Sequence, residues 1–238
     1  NGGRVDIATS AGRSSSGPLT LVTGTSSEAD SGAVSVSTGR ASDSSGAIRL
    51  STGQATTVAS GSVEVTTGAT TGLSTMSGAV TLKSGASETD SGAIVLQSGQ
   101  SSGRRSTSGD VTIQTGSGSA AETGTLTLGT GRSSESRAGS VVITGGEGRL
   151  GGGSIDIVGG RTTTGTGSDI NIVAGSTDTA ASSSGSLNLK SANGLGASGA
   201  VSIESGSSVS GTTGAITVVT GDSAASASGD IDIHAGRT

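Results

Sequence analysis

Ser31 to Gly39 reads Ser-Gly-Ala-Val-Ser-Val-Ser-Thr-Gly, with Val34, Val36 and Thr38 on one face of a strand and Ala33, Ser35 and Ser37 on the other. Side chains of a strand alternate with period two, so the pattern puts every aliphatic residue of the phrase on one side. The phrase returns at Ser45–Gly53, Ser77–Gly85, Ser91–Gly99, Ser108–Gly116 and Ser198–Gly206. Tolerating conservative changes, there are 16 copies, from Val5/Ile7, Leu19/Leu21 and Val34/Val36 to Ile231/Ile233, spaced 14, 15 or 17 residues apart. All 32 of these paired positions, called rungs below, hold Val, Ile or Leu. Self-similarity at a fixed period marks a repeat architecture.

A third position on the rung face is always small. It is Thr or Ser in twelve phrases and Gly145, Gly159, Ala174 or Ala235 in the other four. Stacked hydroxyls at this position are expected to hydrogen-bond to one another. Gly follows the phrase in 14 copies and opens nearly all of them, a placement expected of turns with positive φ. The arcs between phrases, such as Arg40–Ser44 and Gln100–Thr107, are rich in Ser, Thr, Gly, Ala and Asp and absorb all variation in length. Pro18 stands at the first strand position, where its missing N–H is tolerated. No stretch carries a 3.6-residue apolar period, so no helix is expected.

Composition narrows the function classes. The 238 residues include 45 Gly, one Pro, one Met, and no Phe, Tyr, Trp or Cys, with 29% hydrophobic residues. Such a composition ordinarily describes a disordered chain, but here the few aliphatic residues obey a strict pattern. Only 13% of residues are charged and the net charge is −5, so neither nucleic acid nor an anionic membrane is an expected partner. No apolar run approaches the ~20 residues of a membrane span. Disulfides and thiol chemistry are excluded by the lack of Cys, which does not by itself fix the compartment. A start at Asn1-Gly2-Gly3 in place of Met is expected of a processed product or a fragment.

One apolar face per phrase has to be covered. The arcs vary in length and mostly lack inward aliphatics, and the absence of aromatics leaves nothing to fill a wide three-strand coil. The pattern therefore predicts an all-β fold: a single domain over 1–238, a parallel β-solenoid of sixteen ~15-residue repeats. Two repeats form each coil, and odd and even strands build two parallel sheets facing across ~10 Å. Aliphatic burial alone does not offset the entropy of ordering so long a chain. The hydrogen-bond ladder, the hydroxyl ladders and neighbouring molecules are expected to supply the rest. No capping unit closes either end of the pattern, so a longer stack is expected, within a longer protein or by end-to-end association of copies.

The chemistry-bearing residues form no constellation. None of the sixteen outward pairs between and after the rungs, such as Ser35/Ser37 or Thr81/Lys83, is the Thr-x-Thr expected of an ice-binding ladder. Asp30, Asp43, Glu88 and Asp90 are candidate calcium ligands, but no single arc supplies the six to eight oxygens the ion takes. His234, the one histidine, stands beside Asp232 on an outward position and reads as a surface residue. Asp230 with Asp232, and Asp110 with Asp169, are the carboxylate pairs available for glycoside cleavage, with no aromatic platform for a sugar. Gly145–Gly153 is glycine-rich like a phosphate loop but lacks the Gly-Lys-Ser/Thr ending. No catalytic, cofactor-binding or metal-binding residue is assigned, no cofactor is expected, and the chain is not expected to be an enzyme.

Through the phrase Ser-Gly-Ala-Val-x-Val/Leu-x-Ser/Thr-Gly, as at Ser77–Gly85, the whole chain resembles the Gly/Ser/Thr-rich repeat proteins of microbial and algal cell surfaces, including solenoid segments of adhesins and surface fibres. That resemblance implies a secreted or cell-surface structural protein, a filament, stalk or fibre built by stacking coils end to end. Its Ser/Thr-rich arcs are possible carriers of O-linked glycans. The alternative is a binding module of adhesin type, for ice, a glycan or another surface.

Overall fold

The computed structural model describes residues 2–72, 75–119 and 122–236; the chain ends Asn1 and Thr238 lie outside these. Among the described residues there is no helix, no strand and no sheet. The predicted all-β parallel β-solenoid, with its two sheets and two repeats per coil, is therefore corrected. Only four backbone–backbone hydrogen bonds occur among the described residues. All lie in or at the mouth of an arc: Gly153 N–H to Gly146 O (2.9 Å), Ser168 to Gly160 (3.2 Å), Gly185 to Gly175 (2.8 Å) and Ser182 to Thr179 (3.1 Å). None of the described residues is buried, and the accessible surface is 24160 Å². A compact protein of this mass exposes about 9,300 Å² and an unfolded one about 32,000 Å². The chain keeps most of its surface in water.

The two-residue alternation is nevertheless present. Apart from Val5, first rungs are 49–62% exposed, whereas outward aliphatics such as Val22, Val95 and Val173 are 75–88% exposed. Bonds between residues two apart, Ser154 Oγ to Asp156 and Ser202 Oγ to Glu204 (both 3.2 Å), join side chains on one face of the phrase. The alternation is thus as predicted, whereas the pairing of the rungs and their burial between facing sheets are not. Alternation describes one segment, while a ladder requires a neighbour ~4.8 Å away along the whole segment.

What the phrases do share is a contact at their ends. Thr38, third on the rung face, lies against Gly46, which opens the next phrase, and a Cβ at Gly46 would sit 3.6 Å from Thr38 Cγ2. The same approach joins Thr23 to Gly32, Thr52 to Gly61, Thr67 to Gly78 and Thr130 to Gly139, each at 3.7 Å. Ser84, Ser98, Thr115 and Ser191 make it with Gly92, Gly109, Gly124 and Gly199 at 3.8–3.9 Å. The six least exposed residues, Ser98, Thr115, Gly159, Ala174, Ser191 and Thr220, all occupy this third position. None of the Thr or Ser hydroxyls at this position takes part in a side-chain hydrogen bond, so the expected hydroxyl ladders are also corrected.

Arc length selects turn chemistry, counted from the third position of the phrase. In five arcs of the 15-residue spacing, the residue three places on is a hydroxyl that accepts from the N–H three further along. These are Ser26 from Ala29, Ser133 from Ser136, Thr162 from Gly165, Ser208 from Gly211 and Ser223 from Ser226, at 3.0–3.2 Å. Such side-chain turns replace a backbone turn. In three arcs of the 14-residue spacing the same place holds Gly12, Gly148 or Gly194. There a Cβ would overlap the carbonyl oxygen of Ser15, Gly151 or Ala197. In the three 17-residue arcs the carbonyl five places on accepts from the residue three later: Gly72 from Thr75 Oγ1, Gly103 from Ser106 Oγ, and Thr179 from the Ser182 N–H. No described glycine has positive φ, so close approach rather than handedness explains those glycines; Arg105 (φ 61°) takes the left-handed turn instead.

The chain divides into two units, Asn1–Leu126 and Thr127–Thr238. The division falls between the two rungs of the ninth phrase, Leu126 ending the first unit and Leu128 lying in the second.

Two substitutions check the turn chemistry. Ser133→Ala is expected to speed exchange of the Ser136 amide about twofold, the loss of ~0.5 kcal/mol from one exposed hydrogen bond, and to leave the Ala29 amide unchanged; equal exchange at Ser136 counts against the turn. Gly194→Ala is expected to shift the NMR resonances of Ala197 and Ser198, whereas Gly46→Ala, which brings a methyl into ordinary contact, shifts only its immediate neighbours.

Candidate functional site

No cavity is enclosed among the described residues, and no three His, Asp or Glu side chains converge there. Asp30, Asp43, Glu88 and Asp90 are all exposed. Their carboxylates form no ion pair; the ion pair found among the described residues is Arg4–Asp6 (2.7 Å), within the first phrase. Asp230, Asp232 and His234 alternate along one exposed face with no hydrogen bond joining them. Asp110 belongs to the first unit and Asp169 to the second. Gly145–Gly153 closes on itself through the Gly153 N–H, which donates to Gly146 O. That donor is consequently spent inside the loop.

The feature that repeats along both units is the rung face, and its coverage has a direction. Val5, with no phrase before it in the sequence, is 84% exposed, against 49–62% for the fifteen later first rungs. Second rungs are 57–75% exposed, but Ile233, with no phrase after it, is 92% exposed. A first rung is thus covered by the phrase before it and a second rung by the phrase after it. The end approach fits this: nine arcs bring the close of one phrase near the glycine that opens the next. The two rungs of a phrase lie near opposite arcs.

Each rung therefore keeps about half or more of its surface in water, in a row repeated through the chain. Periodicity located these residues. The direction of their coverage was not deduced from it, although the constant third position beside a constant glycine was the available signal.

The scattered carboxylates lead to an expectation for calcium. Calorimetric titration to about 1 mM Ca²⁺ is expected to give no saturable heat, since a protein site needs six or more converging oxygens; a stoichiometric transition would refute this. No protein family, curated protein or solved structure matches this chain.

Proposed function

We propose that this is a structural repeat protein of an extracellular filament, stalk or surface fibre, in which copies of the chain cover one another's rung faces. The observation that carries the proposal is the directional coverage just described. What shields a rung in this chain is another phrase of the same chain, so the occupant of matching shape and spacing is a further copy. Association end to end continues the series in which each phrase completes the next. The proposed role is scaffolding. Placement outside the cell is supported by the resemblance to cell-surface repeat proteins.

The physical incentive is large. Covering an aliphatic side chain is worth ~1.5–3 kcal/mol, and every rung has about half or more of that still to gain. Backbone N–H and C=O groups, nearly all left to water in the single chain, become available for bonds between copies.

Electron microscopy and sedimentation of the purified chain test this. Fibres with a regular axial repeat are expected; monomers at every concentration up to about 1 mM would overturn it. Ile94→Asp with Leu96→Asp is expected to raise the concentration needed for assembly about a hundredfold, from roughly 1.5 kcal/mol lost per rung. Val95→Asp, between them but outward, is expected to change it less than about threefold.

A further inference from the structure

We infer that Asn193–Gly194 is a site of spontaneous modification, at which Asn193 loses its side-chain nitrogen and the main chain is rerouted through an isoaspartate. The inference does not depend on any association of copies. What carries it is that the turn demands a glycine directly after an exposed asparagine. A Cβ at Gly194 would overlap the Ala197 carbonyl oxygen, so the residue following Asn193 is held to the smallest side chain by the arc itself.

The reaction needs only water. The backbone nitrogen of Gly194 gives up its proton to solvent and attacks Cγ of Asn193. A C–N bond forms, closing a five-membered succinimide, and the side-chain nitrogen leaves as ammonia. Water then opens the ring. Breaking the new bond to Cγ leaves an ordinary aspartate. Breaking the bond to the main-chain carbonyl carbon of Asn193 leaves an isoaspartate, in which the chain runs through Cβ and Cγ. Water is consumed, ammonia is released, nothing is oxidised or reduced, and the chain gains one negative charge.

Ring closure requires an attacking amide that is uncrowded and unpaired. Asn193 and Gly194 are both exposed, and among the described residues no hydrogen bond involves either of them. Asn171 and Asn188 are exposed as well, so access to water does not set Asn193 apart. The successor does. Ile172 and Leu189 place branched side chains beside the attacking nitrogen, whereas Gly194 places none and leaves the backbone free to rotate.

The turn requires the glycine but not the asparagine. Gly12 and Gly148 meet a carbonyl oxygen in the same way, and the residues before them are Ala11 and Glu147. Neither has a side-chain amide from which ammonia could leave. Asn193 is thus a reactive residue added to a turn that works without it. An isoaspartate there adds one main-chain carbon immediately before Gly194. That displaces the approach of Gly194 to the Ala197 carbonyl, and with it the approach of Ser191 to Gly199.

The full chain, kept in warm neutral buffer and sampled over weeks, tests this by peptide mapping with separation of aspartate from isoaspartate. Conversion at Asn193 is expected to be at least about tenfold faster than at Asn171 or Asn188, a barrier lower by ~1.4 kcal/mol. Isoaspartate is expected among the products, and the peptide that begins at Asn1 is read separately. Gly194→Ala is expected to slow the conversion, again at least about tenfold. Asn193→Ala is expected to abolish the charge gain in its peptide while leaving the Ala197 and Ser198 NMR resonances in place. Conversion at Asn193 no faster than at the other two, an unchanged rate in Gly194→Ala, or aspartate without isoaspartate overturns the proposal. Displaced Ala197 and Ser198 resonances in Asn193→Ala overturn the separation of the reactive residue from the turn.

Discussion

The close approach of a small side chain to the glycine opening the next phrase is the constraint on which the rest of the chain depends. Thr38 against Gly46 is one instance of a contact made in nine arcs. It brings the two ends of an arc near each other, with room at Gly46 for an added methyl in ordinary contact. The aliphatic pairs contribute little to this closure, because they lie farther from the mouth of the arc and remain half or more in water.

The energetic position of the single chain follows directly. Its apolar surface is organised but not removed from water, and its backbone polar groups are satisfied mainly by solvent. Neither the hydrophobic effect nor a hydrogen-bond ladder is exploited within one molecule. Each arc is a local device, made from a hydroxyl, a glycine or a carbonyl at a fixed count from the phrase. Local devices of this kind give little cooperativity, since breaking one leaves the next intact. Association is the remaining source of burial, and the repetition of the rungs makes a copy the natural supplier.

Much of this was legible in the sequence. The rung face, the small third position, the phrase boundaries and the absence of helix all follow from Val34, Val36 and Thr38 and their fifteen counterparts. The partner of each phrase was not legible. Alternating residues look the same whether a strand lies in a sheet or stands apart, and the difference depends on backbone spacing that side-chain type does not encode. The glycines misled for a related reason: Gly194 is needed because the Ala197 carbonyl takes the place of its Cβ, not because φ is positive. The turn code was present but unread, as a Ser or Thr three places past the third position in five arcs of one length. For the candidate carboxylates and His234 the sequence offered pairs, Asp230 with Asp232 and Asp110 with Asp169, but no pattern that sets the distance between them.

Turn chemistry tied to a fixed count restricts how an arc can change length. One added residue moves Ser133 or Gly194 off the place at which it works, so an arc lengthens only by exchanging one device for another. Whole phrases, each with its own arc, can be gained or lost without disturbing the devices of their neighbours.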